Sequence, residues 1–326
     1  MKHKEKKVID PLVSIVVITY NSSKYVLETL ESAKAQTYKN IELIISDDCS
    51  TDNTVIICEK WLKENKDRFV RTKLIMVEKN SGIPKNCNRA LYTAEGDWTK
   101  LIAGDDILMP NCVKDNIEFV QSNSEIIFCF SDYASYRDTF IDASLILANP
   151  ETNRRSLMFT KLSVEFQLQV IARGATIHAG ATFYHTESIL ALGGYDETFT
   201  YLEDWPTWNK LLKKDIKFHY LSIKTIKYRM HSEAITKKIN TGQSFTLTAI
   251  KMGTVIKKFF LINYTVKEQI LFYIEDSYFK FYKNRTVNNI ISKVVRRIWY
   301  SFVNISIYER RKYLPKIYNK YIKPVE

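Results

Sequence analysis

The chain has 326 residues, 45% hydrophobic and 26% charged, enough for one large or two ordinary domains with a core of their own. The formal net charge of +12 is concentrated: residues 245–326 hold 16 Lys+Arg against 5 Asp+Glu, an excess of 11. A basic tail of this kind suits an anionic surface, either nucleic acid or the negative face of a membrane. The five cysteines (Cys49, Cys58, Cys87, Cys112, Cys129) are odd in number and form no Cys-x-x-Cys pair, which argues against a disulfide framework and for reduced cytosolic thiols. The N-terminal residues run into a short apolar strand and do not read as a signal peptide. No segment reaches the ~18 uninterrupted apolar residues of a spanning helix, so a membrane-associated form would lie on the bilayer.

In chain order, Leu12 to Thr19 is a continuous β-branched run, the pattern of a strand buried on both faces and hence parallel. Asn21-Ser22-Ser23 is expected to cap a helix over about 24–36. Ile41 to Ser46 reads as a second buried strand, 54–65 as a helix, 71–78 as a third strand, 84–94 as a helix and 98–103 as a fourth strand. Strands alternating with helices at this spacing imply βαβ units and a parallel sheet. Beyond Pro110 the rhythm loosens. A helix is expected over 112–122, a strand over 126–132, an irregular acceptor-facing loop over 133–160, and a helix over 162–171. A short strand follows over 181–184, then a helix over 187–192 closed by Gly193-Gly194, a helix over 204–214 and a strand near 217–221. From about Ser244 the pattern is helical, aromatic and basic.

Two acidic doublets end apolar strands: Asp47-Asp48 and Asp105-Asp106. Ligands of open α/β sheets sit just outside the carboxyl ends of the strands, where both doublets fall. Adjacent carboxylates repel, so something cationic or hydrogen-bond-donating is expected beside them, and together they read as a nucleotide-and-metal site. Asp48 can accept hydrogen bonds from a base N–H or a ribose hydroxyl. Lys85 and Arg89, one helical turn apart, follow Asn80-Ser81-Gly82, where a cation and a helix N-terminus can meet a diphosphate.

The runs Pro11 to Asn21, Ser46 to Asp52, Asn80-Ser81-Gly82, Gly104-Asp105-Asp106, and Gly193 to Asp196 with Tyr201-Leu202-Glu203-Asp204 resemble, in that order, the family 2 glycosyltransferases of the GT-A fold. The likeness covers about residues 10–235 and is of the inverting, bacterial surface-polysaccharide type. It implies an α/β architecture: a Rossmann-like, mostly parallel nucleotide-binding sheet with flanking helices, followed by a C-terminal helical extension. The implied division is 1–115 for the nucleotide-sugar half, 116–240 for the acceptor half and 241–326 for the basic aromatic extension. The resemblance assigns Thr19, Tyr20, Asn21, Asp47, Asp48, Lys85 and Asp105 to the donor, most simply a UDP-sugar. It assigns Asp106 to a divalent metal, Mn²⁺ or Mg²⁺, with Asp105 as ribose or outer-sphere partner. His231 stands where some relatives use a His as metal ligand or phosphate contact. Asp204 matches the catalytic base and Glu203 its orienting neighbour. Two positions depart from the pattern: Ala103 stands where many relatives carry a further Asp, and Cys87 where many carry an Arg.

The expected acceptor is a glycan or lipid-linked hydroxyl, the expected location cytoplasmic and peripheral at the inner face of the plasma membrane, and no nucleic acid is expected. The rival readings are a nucleotidyltransferase, which would need a Gly-rich phosphate loop where Thr19-Tyr20-Asn21-Ser22-Ser23 stands, and a nucleic-acid-binding protein using the basic tail, for which no recognisable module is present.

Overall fold

A computed structural model describes residues 10–146, 160–172, 177–234, 253–254, 256–260, 262 and 264–282. The chain divides into two compact units. The first comprises Met1–Asn153, Ile177–Thr207 and Lys217–Arg229; the second comprises Arg154–Thr176, Trp208–Ile216 and Met230–Glu326.

The first unit is built on β1 (Val13–Thr19), β2 (Ile41–Asp47), β3 (Arg71–Met76), β4 (Trp98–Ala103), β5 (Ile107–Leu108), β6 (Phe128–Arg137), β7 (Leu145–Ile146), β8 (Thr182–His185) and β9 (Phe218–Met230). Among the described residues they form one sheet in the order β3-β2-β1-β4-β8-β6-β9-β5, with β7 on β6. The pairs β3–β2, β2–β1 and β1–β4 are parallel. From β4 outward the pairs β4–β8, β8–β6 and β9–β5 are antiparallel. β1 and β2 are buried along almost their whole length, which is why they read as unbroken apolar runs, whereas edge strand β3 is only partly covered.

Helix α1 (Val26–Lys34) lays Val26, Thr29, Leu30 and Ala33 against the sheet, an i, i+3, i+4, i+7 stripe. α2 (Thr54–Asn65), α3 (Ile83–Leu91) and α4 (Cys112–Ser122) complete the βα units. The expected cap of α1 is absent. The helix starts behind Tyr25, and the Ser22 carbonyl accepts the N–H groups of Tyr25 and Val26, both at 2.9 Å. Asn21, Ser22 and Ser23 bond instead to the β2–α2 loop: Asn21 N–H to Ser50 Oγ at 2.8 Å, Ser22 N–H to Thr54 Oγ1 at 2.7 Å and Ser23 N–H to Asp52 Oδ2 at 3.0 Å.

Two strands are longer than their sequence suggests. β6 runs on through 133–137, inside the stretch expected to be irregular, and β7 lies there too; Asp132, which breaks the apolar pattern, accepts the Tyr220 hydroxyl at 2.6 Å. β9 extends nine residues past Leu221. It leaves cover at 222–224 and returns with Thr225 and Ile226 both buried, so its alternation slips and a period of two misses it. The rest of the 133–160 stretch, residues 147–159, lies outside the described residues.

The short helix α5 (Val164–Ala172) belongs to the second unit, while α6 (Thr186–Ala191) belongs to the first and α7 (Asp204–Lys213) runs from the first into the second. In the second unit, a π-helical turn at Ile256–Phe260 precedes α8 (Val266–Tyr282). The Tyr264 hydroxyl donates to the Ala172 carbonyl at 2.8 Å. Thr265 and Glu268 form a reciprocal capping box, with Thr265 N–H to Glu268 Oε2 at 2.7 Å and Glu268 N–H to Thr265 Oγ1 at 3.3 Å. The basic runs Arg296 to Tyr300 and Arg310 to Tyr313 lie outside the described residues. No helix among the described residues is long and apolar enough to cross a membrane.

Candidate active site

The parallel register sets the carboxyl ends of β2, β1 and β4 side by side. Thr19 pairs with Asp47 and Ile18 with Ala103, the Asp48 N–H donates to the Thr19 carbonyl at 3.0 Å, and the Gly104 N–H donates to the Ile18 carbonyl at 2.9 Å. Both doublets therefore leave the sheet at one edge.

Within the first doublet the two carboxylates have separate work. Buried Asp47 accepts Thr19 Oγ1 at 2.7 Å, Ser50 N–H at 2.7 Å and Ser50 Oγ at 2.5 Å, which ties β1 to the loop after β2. Asp48 is also buried, and four donors converge on it: Ser81 N–H, Ser81 Oγ at 2.8 Å, Gly82 N–H at 2.7 Å and Arg89 Nη2 at 2.8 Å. Burial alone would raise its proton affinity. The Arg89 guanidinium, the Ser81 hydroxyl and the two N–H groups outweigh burial and hold the carboxyl below the usual range. Arg89 is thereby committed to Asp48, with Ser81 and Asn86 as further acceptors, while Lys85 remains exposed. The Gly82 and Ile83 N–H groups at the start of α3 are likewise taken, the first by Asp48 and the second by the Thr200 carbonyl at 2.8 Å. Tyr20 and Asn21 are exposed beyond β1, Asn21 in the left-handed region at φ 52° with its Oδ1 accepting Thr51 N–H at 2.8 Å.

Helix α3 also holds the loop that leads to the third acidic pair. Asn88 accepts Tyr195 N–H at 2.7 Å and donates to the Tyr195 carbonyl at 3.0 Å and to Glu197 Oε1 at 2.8 Å. Gly82 (φ +91°) and Gly194 (φ +63°) permit these approaches: a Cβ at the first would collide with the Thr200 carbonyl, and at the second with Asn88 Oδ1. At the end of this loop stand Glu203 and Asp204. Asp204 begins α7 and accepts Trp205 N–H at 2.5 Å. Burial raises the proton affinity of both, and the Asp204 charge raises Glu203 further; Asp204 is lifted to about 6 and Glu203 to about 8. Two carboxyls so close titrate as a pair, with one proton shared over the neutral range. Cys87, on the buried face of α3, feels the charges of Glu203 and Asp48, and burial first and these charges second push its thiol well up. A neutral thiol thus occupies the position where relatives were expected to carry an Arg.

The second doublet turns at the end of β4. Asp106 is buried, and its Oδ1 accepts the Arg229 N–H at 2.8 Å. Burial first and the Asp105 charge second raise its proton affinity well above the carboxylate norm. Arg229 itself was not singled out in the sequence. It is buried on β9, its Nε donates to the Asp105 carbonyl at 2.8 Å and its Nη1 to the Asp138 carbonyl at 2.5 Å. Its guanidinium lies 4.0 Å from the Phe140 ring and 4.5 Å from the Tyr25 ring, with Glu28 Oε2 3.1 Å from Nη2. The signal available in the sequence was a basic residue inside the strand-forming run Tyr228-Arg229-Met230-His231. His231, buried directly after β9, belongs to the second unit.

Asp105 and Asp106 offer hard oxygen donors, and no cluster of three or more His, Cys, Asp or Glu side chains stands ready for a metal among the described residues. Such a donor set fits a cation held by one or two carboxylates with its other positions left to phosphate oxygens and water, the manner of Mg²⁺ and of Mn²⁺ in its place.

The profile of Glycosyl transferase family 2 matches residues 14–177. An uncharacterized glycosyltransferase of Rickettsia felis is 27% identical over 246 residues, 73% of this chain but only 37% of that protein. The Escherichia coli UDP-Glc:alpha-D-GlcNAc-diphosphoundecaprenol beta-1,3-glucosyltransferase WfaP is 27% identical over 227 residues, 69% of this chain and 80% of WfaP. Among solved structures, S. aureus TarS 1-349 in complex with UDP-GlcNAc superposes with a TM-score of 0.58 at 19% identity, over 95% of this chain and 84% of that 1-349 chain. The mannosyltransferase PcManGT of Pyrobaculum calidifontis, in complex with GDP-Man and Mn²⁺, gives 0.59 at 12% identity over 98% and 89%. The profile match, which spans half of the chain, makes this protein a member of glycosyl transferase family 2.

Proposed function

We propose that the protein is an inverting glycosyltransferase that moves a sugar from a nucleotide-sugar donor, a UDP-sugar, to a hydroxyl of a glycan or lipid-linked acceptor in surface-polysaccharide assembly. The observation that carries the reading is the Glu203–Asp204 pair. It has raised proton affinity and sits on a loop that α3 ties to the same sheet edge as Asp48. A base for this chemistry must take a proton from an alcohol near neutral pH, and a carboxylate tuned upward by burial suits that task. UDP-Glc in the name of WfaP and UDP-GlcNAc bound to TarS favour a uridine donor.

In the reaction the acceptor oxygen attacks the anomeric carbon while its proton passes to the Asp204 carboxylate. The bond from that carbon to the β-phosphate oxygen breaks, and its electron pair leaves with the nucleoside diphosphate through an oxocarbenium-like transition state. Glu203, carrying the shared proton, leaves Asp204 as the ionised partner. Thr19, Tyr20 and Asn21 line the donor side. Asp47 and Asp48 act by holding the loops around it, since their carboxylates are engaged within the protein. Exposed Lys85 is free to approach the diphosphate. Asp106 would hold a divalent cation, with Asp105 beside it; the cation would neutralise charge on the leaving diphosphate. The reaction would take place at the cytoplasmic face of the membrane, where a lipid-linked acceptor is presented.

The test is a calorimetric and kinetic comparison with Asp204→Asn. Turnover should fall by at least about 100-fold while UDP binding stays within about twofold. Near-wild-type turnover removes Asp204 as the base. A thermal-shift panel of nucleotide sugars with Mn²⁺ or Mg²⁺ identifies the donor.

A further inference from the structure

Among its described side chains, helix α8 in the second unit turns two carboxylates inward and three apolar groups outward. The side it buries carries Glu268, Phe272 and Asp276, spaced by four, at 5%, 2% and 5% exposure. The side it presents carries Val266, Ile270 and Tyr273 at 74%, 55% and 48%, with Ile262 just ahead of the helix at 83%. At 100° per residue the three helical positions fall within an arc of roughly 60°, one continuous stripe. A soluble surface helix places its charges outward and its apolar residues inward. Here the two carboxylates are turned in and accommodated there: Asp276 accepts Lys257 Nζ at 2.6 Å, and Glu268 closes the capping box at Thr265. The arrangement removes two of the five acids of residues 245–326 from the outer face, and Lys258 ahead of the helix and Lys267 within its first turn are exposed. The Lys257 ammonium also lies 5.4 Å from the centre of the Tyr273 ring.

We infer that the Val266–Ile270–Tyr273 face of α8 is a docking surface for an anionic lipid headgroup layer. An apolar stripe flanked by cations is the pattern of a helix lying in the interfacial plane, with its apolar side chains below the headgroups and its lysines level with the phosphates. The charge of the segment decides for lipid over a second copy of the same basic surface: an excess of 11 positive charges over 245–326 repels itself and is drawn to an acidic leaflet. The inference rests on the proposed lipid-linked acceptor only for its biological sense. Vesicle binding is measured without donor or acceptor, so its failure leaves the transfer reaction untouched, and the reverse also holds.

The experiment uses the full chain and co-sedimentation with phosphatidylglycerol–phosphatidylethanolamine vesicles, with phosphatidylcholine vesicles as the neutral control. Wild type should pellet with the anionic vesicles and far less with the neutral ones, and raising salt to about 0.5 M should weaken the binding. Val266→Ser, Ile270→Ser and Tyr273→Ser combined, all at exposed positions, should lower the partition coefficient by about tenfold or more without shifting the melting temperature. Equal pelleting of the triple variant refutes the assignment of this face. Absence of wild-type binding to anionic vesicles refutes it too. In that event, a dimer by light scattering that the triple variant loses gives the face to a second copy, and a monomer whose α8 amides are protected from exchange gives it to another part of the chain.

Discussion

Replacing Arg89 by Met isolates the interaction on which the first doublet depends. The substitution deletes the 2.8 Å bond from Nη2 to Asp48 Oδ1 and leaves the carboxylate, 3% exposed, with three neutral donors from Ser81 and Gly82. Breaking a buried pair by removing one partner costs about 3–5 kcal/mol. Arg89 is 23% exposed and the neutral donors remain, so about 2 kcal/mol is expected, or about 5 °C in melting temperature for a unit of this size. The pH dependence separates this from lost packing. Asp48 is depressed in the folded state, so its contribution to stability is present above its unfolded value of about 4 and fades as pH falls through the folded value. Urea unfolding of wild type and Arg89→Met should therefore differ most near pH 7, and the difference should shrink as pH falls below about 4. A gap that does not shrink with acidification, or one below about 0.5 kcal/mol at neutrality, refutes the electrostatic account of the clamp.

Three further outcomes follow from the site. Because burial lifts Asp204 to about 6, kcat/KM should rise with pH between about 5 and 7 and then level, and Glu203→Gln, which keeps the uncharged form that Glu203 has in that range, should leave the rise in place. A rise displaced by about a pH unit or more in Glu203→Gln refutes the assignment of the shared proton to Glu203. Arg229→Met removes the bonds to the Asp105 and Asp138 carbonyls and the contacts with Tyr25 and Phe140, while the backbone bond to Asp106 remains. It should weaken Mn²⁺ binding in the presence of UDP by roughly tenfold, as loss of an outer-sphere support does, read by calorimetry. Unchanged Mn²⁺ affinity would leave Arg229 a purely structural residue.

What the sequence disclosed depended on whether the informative partners were neighbours along the chain. β1, β2 and β4 were legible because a strand covered on both faces must be apolar throughout, and that demand is local. β9 was legible only at its start, because its exposure follows the strands beside it and its polar residues are paired at long range. The same holds for the site. Asp48 could be recognised as a strand-end carboxylate, but the partner that takes it up, Arg89, is 41 residues away, and Ser81 and Gly82 are 33 and 34 away. A free strand-end carboxylate invites a ligand, whereas a saturated one shapes the loop that the ligand meets.

The two departures from the family pattern acquire a physical reading from these partners. Cys87 lies between the fields of Glu203 and Asp48, and an Arg there would pair with one of them and depress it. A neutral, buried thiol leaves Glu203 with its raised proton affinity, and Arg89, two residues on, serves Asp48 instead. At the second doublet, Ala103 leaves one charge fewer in a crowded turn, and Arg229 gives its backbone N–H to the Asp106 carboxylate and its Nε to the Asp105 carbonyl. In both places a buried acid takes a donor from another element, Asp48 from α3 and Asp106 from β9. Arg229→Met combined with Ala103→Asp should then bind Mn²⁺ more tightly than Arg229→Met alone, because an added carboxylate replaces part of the lost support. Equal calorimetric affinities in the two variants would show that the turn does not exchange one means of holding charge for the other.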